Sequence, residues 1–264
     1  MTDTLIVQSY RTHDVAPWLL TCMGSVRAWA AGQGHAYEFV DDALFDPLPD
    51  WYREKCGPHI LPMTDLARLL LMHDRLAQGW RRVVWMDADM LVFDPERLRI
   101  DIRSDCAFCR EIWVDRGPDG TPKASFLVNN SVTVMTAGSP MLPFMIHAAL
   151  QIMCNTPAEK VDHIIVGTRF LTQLSQLMPV ELLMQIGMVT PALGDELSRD
   201  GGDELARLFA AQSRQPIAAA NLCASLSERE MAGVSLGSDG MARVAERLMA
   251  SRGEVVNRHL ADAG

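Results

Sequence analysis

The sequence predicts an α/β fold with a Rossmann-like, mostly parallel central sheet flanked by helices and a less regular C-terminal half. Two observations carry this. Up to Phe93, short apolar runs of strand length alternate with segments whose apolar residues recur at helical spacing, a β-α-β-α-β order. The chain is also globular in composition, with 264 residues, 48% hydrophobic and 22% charged, which is enough to bury a proper core.

The elements follow in order. Thr4 to Ser9 is an apolar run of the buried-strand kind. Pro17 opens a helix on which Trp18, Leu19, Cys22, Met23, Val26, Trp29 and Ala30 share a face, and Gly32 and Gly34 stop it. Ala36 to Val40 is a second strand. Ala43 to Pro62, rich in proline and aromatics, reads as a long loop, with Trp51 and Tyr52 able to stack on a ring or to anchor the loop. Thr64 and Asp65 offer N-cap chemistry for a helix to Gly79. Its apolar face holds Leu66, Leu69, Leu70, His73, Leu76 and Ala77, with His73 expected in the core. Val83 to Met86 is the third strand, and Asp87-Ala88-Asp89 leads on to Met90-Leu91-Val92-Phe93.

Beyond this point strands are expected at Cys106 to Val114 and Phe126 to Met135, around the turn Gly117-Pro118-Asp119-Gly120. Helices are expected at Pro140 to Cys154, Thr168 to Met178, Asp203 to Gln212 and Met241 to Ser251, and a strand at Ile217 to Ala224. Gly-Asp-Glu-Leu occurs at Gly194 and again at Gly202, and reads as one acidic loop running into a helix. No linker divides the chain, so residues 1–264 are expected to form a single domain.

Charge and cysteine usage narrow the function. With 33 acidic and 24 basic residues and a formal net charge of −9, the chain lacks the basic surplus that grips nucleic acid or anionic lipid. No signal-peptide pattern and no bilayer-length apolar run are present. The 6 cysteines then read as buried thiols of a soluble, cytoplasmic protein. Cys106-x-x-Cys109 lacks the second pair of a zinc site and sits on a strand, which suits two core residues. Met141, Met145 and Met153 read as core filling.

The segment most suggestive of chemistry is Asp87-Ala88-Asp89. Two carboxylates two residues apart at a strand end point to the same side. Their oxygens suit Mg²⁺ or Mn²⁺, and a metal with few protein ligands keeps positions open for phosphate oxygens.

With these residues in place, the chain resembles a GT-A-fold nucleotide-sugar glycosyltransferase, in particular the glycogenin-like and capsular-polysaccharide-type families. The resemblance runs from Leu5 to Asn130, with weaker echoes to Leu171. It implies a nucleotide-binding half in residues 1–94 and an acceptor-side half in residues 95–264. Asp87 and Asp89 would bind Mn²⁺ or Mg²⁺, with Ala88 beside the nucleotide and Gln8-Ser9-Tyr10-Arg11 as the nucleotide loop. Asp65 would help hold the nucleoside, while Arg68 would order the site or face the diphosphate; without the resemblance the two are a plain i, i+3 ion pair. Phe126 to Ser131 resembles the strand near the donor sugar, with Asn129 and Asn130 as sugar ligands or turn formers. Gly167-Thr168-Arg169 resembles a helix start facing the substrate, which gives Thr168 and Arg169 a sugar or acceptor role. The family often completes its metal shell with His or Asp after a late strand; here Asn221 stands at that place, and His259 is the other candidate.

The reading that follows is a metal-dependent glycosyltransferase moving a sugar from a nucleotide-diphosphate donor, a UDP- or GDP-sugar, to a glycan or lipid-linked acceptor. The resemblance suggests retention of anomeric configuration. An inverting enzyme would need a base, with Asp162, Glu181 and Asp195 as candidates. Two alternatives stay open. One is a non-catalytic relative that binds a nucleotide sugar. The other is a phosphatase of the haloacid-dehalogenase kind, in which the first Asp is a nucleophile.

Overall fold

The computed structural model describes residues 2–199, 202–226 and 235–260. A six-stranded sheet runs in the order β2-β1-β3-β6-β5-β7, built from β1 (Thr4–Ser9), β2 (Ala36–Val40), β3 (Arg82–Met86), β5 (Cys106–Arg116), β6 (Pro122–Thr136) and β7 (Glu181–Leu183). Three of its five pairings are parallel: β1 with β2, β1 with β3, and β5 with β7. The fold is therefore α/β with a mostly parallel central sheet. The antiparallel pairings are β3 with β6 and the long β5–β6 hairpin. A second sheet has the order β4-β9-β8, from β4 (Met90–Val92), β8 (Ile186–Met188) and β9 (Ala219–Asn221).

Both faces of the main sheet are covered, so its inner strands are apolar on both sides. On β1, Leu5 and Val7 join a core with Leu66, Leu69 and Met72 of α3 (Ile60–Ala77) and with Met145 and Met153 of α4 (Met141–Asn155). Ile6, between them, faces Val26, Trp29 and Ala30 of α1 (Pro17–Gly32) and the second sheet. A third core joins Trp18 and Leu19 of α1 to α6 (Pro191–Ser198), α7 (Glu204–Gln212) and α8 (Gly237–Ala250). The strands flanking β1 are reached by connections on opposite faces. This opens a crevice beyond the carboxyl ends of β1 and β3, the usual ligand position in open parallel sheets.

The structure corrects several expectations. The stretch read as a loop from Ala43 to Pro62 is mostly helical, with a 3₁₀ turn at Asp42–Phe45 and α2 at Asp50–Cys56. Pro49 takes the N-cap of α2 and Pro62 lies in the first turn of α3, where a missing N–H costs nothing. Tyr52 anchors α2, fully buried with its hydroxyl donated to the Pro62 carbonyl at 3.0 Å, while Trp51 stays exposed.

Because α3 starts at Ile60, Asp65 is not a cap but a buried residue of the second turn, and His73 is exposed. The first Gly-Asp-Glu-Leu lies within α6 and the second leads into α7, so the repeat is not one loop; residues 200–201 between them fall outside the described residues. The late strand is three residues long, Ala219–Asn221, because only those pair with β4 and β8. Five cysteines are buried, Cys106 and Cys109 among them, but Cys154 is exposed. Among the described residues no helix is long and apolar enough to cross a membrane.

Candidate functional site

The Asp87-Ala88-Asp89 segment bridges the two sheets. The β3–β6 register pairs Met86 with Val132, and the Asp87 N–H donates to the Ser131 carbonyl at 2.8 Å. The chain then turns, with Met90 N–H bonding back to the Asp87 carbonyl at 3.0 Å. It enters the second sheet with Met90 opposite Asn221 and the Leu222 N–H on the Asp89 carbonyl at 3.1 Å. The two acids therefore sit on a tight turn rather than on one extended strand face. Each is held from a different side.

Asp87 is held from the first sheet. Its Oδ1 accepts from Trp85 Nε1 at 2.7 Å and from Arg68 Nη1 at 3.2 Å. Arg68 is 3% exposed, and its guanidinium also binds the Asn130 carbonyl at 2.7 Å and Asp65 Oδ1 at 3.1 Å, over the Trp85 ring. Arg68 thus orders Asp65 and Asp87 while also lining the cavity that they face. Asp65 accepts from Asn130 Nδ2 at 2.8 Å. Burial pushes its carboxyl up to about 6, against the pull of Arg68 and Asn130. A Cβ on Gly167 would come within 2.7 Å of Asp65 Oδ2, so glycine is needed there for space. Gly167 is the N-cap of α5 (Thr168–Leu177).

Asp89 is held from the second sheet. Asn221 Nδ2 donates to its Oδ1 at 2.8 Å and the Ala224 N–H to its Oδ2 at 2.7 Å. The chain reaches back through Cys223, whose left-handed backbone (φ 53°) is unusual for a non-glycine residue. Burial first, and then neighbouring Asp87, raise the Asp89 carboxyl above its ordinary range. Burial also raises Asp87, against Arg68 and the Trp85 hydrogen bond.

Asp87, Ala88 and Asp89 line a cavity of about 770 Å³ at the crevice, together with Ser9, Tyr10, Arg11, Asp65, Arg68, Asn129, Asn130, Thr168 and Asn221. Three expected site residues lie elsewhere. Gln8 is fully buried and holds the floor, donating Nε2 to the Asp87 carbonyl at 2.9 Å while its Oε1 accepts from the Tyr37 hydroxyl at 3.1 Å. Arg169 is turned to Asp162 at 2.5 Å. His259 packs against Asp203 at 3.1 Å, away from the cavity. Asn221 does meet Asp89, but through its amide nitrogen, because its Oδ1 accepts from the Cys223 N–H at 2.7 Å.

The cavity is acidic, with Asp42, Asp65, Asp87, Asp89 and Glu111 against Arg11 and Arg68. An anion such as a diphosphate enters such a space together with a cation. The donor set suits a hard divalent ion, since carboxylate oxygens of Asp87 and Asp89 keep lone pairs beyond their hydrogen bonds. Among the described residues no group of three His, Cys, Asp or Glu side chains could hold a metal. Oxygens of ligand or water would complete the shell.

No protein family and no curated protein matches the chain. A solved structure does: a glycosyltransferase involved in the glycosylation of the major capsid of PBCV-1. That structure is similar over 83% of this chain and 93% of its own, at 10% identity and a TM-score of 0.46.

Sequence reading missed part of the cavity wall. Glu111 and Trp113 of β5, His163, and Ala224 to Leu226 all line it. Glu111 was legible only as one position in an apolar strand run; the signal available was an acid where strand alternation expects an inward residue.

Proposed function

We propose that the protein is a metal-dependent glycosyltransferase that takes a nucleotide-diphosphate sugar, a UDP- or GDP-sugar, and passes the sugar to a glycan or lipid-linked acceptor. The observation that carries this reading is the Asp87–Asp89 turn, with both acids fixed by separate scaffolds in the lining of an acidic cavity. A bound Mn²⁺ or Mg²⁺ would neutralise the departing diphosphate as its charge grows.

The chain's own residues do the rest. Arg68 and Trp85 orient Asp87, while Asn221 and Ala224 orient Asp89. Gln8 fixes the turn that carries them both. Tyr10 and Arg11 line the cavity with the guanidinium over the ring, and would meet the nucleotide there. Asn129 and Asn130 line the same cavity and would hydrogen-bond hydroxyls of the donor sugar.

The phosphatase alternative is less favoured, because Asp87 Oδ1 is tied to Arg68 and Trp85 and no lysine lines the cavity among the described residues. The proposal is tested by incubating the protein with UDP- and GDP-sugars and Mn²⁺ and following nucleoside diphosphate release. Release that a chelator stops and Mn²⁺ restores supports it. Metal-independent phosphate release contradicts it.

A further inference from the structure

Within the proposed transfer we infer that Glu111 is the catalytic base, taking the proton from the attacking acceptor hydroxyl; this rests on the glycosyltransferase reading. Glu111 and Trp113 are two residues apart on β5, so they share a sheet face. The register sets them opposite Leu127 and Ser125 of β6, and all four line the cavity with Asn129. This hairpin wall is separate from the Asp87–Asp89 turn, yet it opens on the same space.

Glu111 is 4% exposed. Its Oε2 accepts from Asn129 Nδ2 at 2.8 Å, which fixes the carboxylate's orientation. Its Oε1 has no hydrogen-bond donor among the described residues, and no fully buried side-chain oxygen there lacks a partner. Oε1 therefore opens into the cavity. Burial also raises the Glu111 carboxyl, against the Asn129 hydrogen bond, which makes its anion a better proton acceptor.

The three acids that the sequence offered as a base, Asp162, Glu181 and Asp195, do not line the cavity. Asp162 is paired with Arg169. Glu181, at the sheet edge, binds the Ser104 hydroxyl and the N–H groups of Arg103 and Ser104. Asp195 pairs with Arg199 on α6. In the step itself, the acceptor oxygen forms a bond to C1 of the donor sugar. The C1–oxygen bond to the diphosphate breaks and its electron pair leaves with the nucleoside diphosphate. The hydroxyl proton moves to Glu111 Oε1 and then to solvent. A single displacement of this kind inverts the configuration at C1, contrary to the retention that the resemblance implies.

The test uses the full chain, wild type and Glu111→Gln, with UDP-glucose, UDP-galactose and GDP-mannose, each with Mn²⁺ and with water as acceptor. Readouts are nucleoside diphosphate release against pH, the first-formed sugar anomer by NMR, and the melting shift given by UDP or GDP with Mn²⁺. The inference expects kcat to fall about 10²- to 10⁴-fold, loss of the acid limb of the pH profile, an inverted first product from the wild type, and an unchanged nucleotide melting shift. Glu111→Asp should keep part of the activity. A variant within a few-fold of wild type, or a retained anomer, overturns the base role and leaves the donor site standing. A wild type that neither turns over a donor nor is stabilised by any nucleotide removes the glycosyltransferase reading, and this inference with it.

Discussion

Asn221 donates its side-chain amide to Asp89 Oδ1 at 2.8 Å, joining residues 132 positions apart. The same side chain accepts from the Cys223 N–H, so one residue sets both the Asp89 carboxylate and the turn whose next N–H, that of Ala224, reaches it. Asn221→Ala would strip a partner from each. A loss of about 1–3 kcal/mol is expected, which is a drop of several degrees in melting temperature at this size. Nucleotide stabilisation that depends on Mn²⁺ should weaken as well. A variant that melts like wild type and responds to nucleotide and metal unchanged would show that Asp89 needs no such support.

Arg68 is the buried cation on which Asp65 and Asp87 both depend. Arg68→Met keeps much of the side-chain volume but leaves two carboxylates facing each other without it. Removing one partner of a buried pair costs about 3–5 kcal/mol, a melting loss on the order of 10 °C. Adding Asp65→Asn should recover part of that loss, because the two sites share one network. Strictly additive effects in the double variant would contradict the coupling.

Gly167 leaves room for Asp65. A methyl group there would lie 2.7 Å from Oδ2 and 3.1 Å from Cγ, and Asp65 cannot retreat while Asn130 and Arg68 hold its Oδ1. Gly167→Ala should cost about 1–3 kcal/mol through overpacking. The cost should shrink in an Asp65→Ala background, as chemical denaturation of the four proteins would show.

The Asp65 carboxyl gives a pH signature. Burial lifts it from 3.8 to about 6 in the folded protein. Between these values the folded chain keeps a proton that the unfolded chain has released. Stability therefore falls as pH rises from about 4 to about 6, with a slope of about 1.4 kcal/mol per pH unit for each proton of difference. Asp87 and Asp89 are raised too and slope the same way. The test is thus the difference between wild type and Asp65→Asn in denaturant melts across that range. The variant should show a shallower fall, and equal slopes would contradict the assignment.

The first half of the fold was legible where local and tertiary signals agree. Thr4–Ser9 is a strand bounded as its apolar run is, because a buried parallel strand needs little beyond such a run; Ala36–Val40, a partly exposed edge strand, is bounded instead by the turn residues Gly34 and Asp41. Local rules failed where tertiary contacts decide. Prolines 49 and 62 suggested a loop, but each takes a helix-start position that tolerates proline. The three-residue strands β7 and β8 exist only through their pairing with β5 and β9, which no window of sequence contains. At the site, the acidic pair and the Asp65–Arg68 pair were visible as motifs, and Asn221 was found from its place after a late strand. His259 has metal-binding chemistry, but the structure sets it against Asp203. Glu111 carries no motif; only the hairpin brings it into the cavity wall.

The most direct measurement is a melting-temperature panel of UDP, GDP, CDP, ADP and dTDP, each with and without Mn²⁺, on wild type and Asp89→Ala. A ligand at 100 times its Kd stabilises the fold by about 2.7 kcal/mol, a rise of several degrees. The account predicts that UDP or GDP gives such a rise in the wild type only with Mn²⁺, and that Asp89→Ala abolishes it. No rise with any nucleotide, or an equal rise without metal and in Asp89→Ala, would contradict the assignment of the Asp87–Asp89 turn as a metal–diphosphate site.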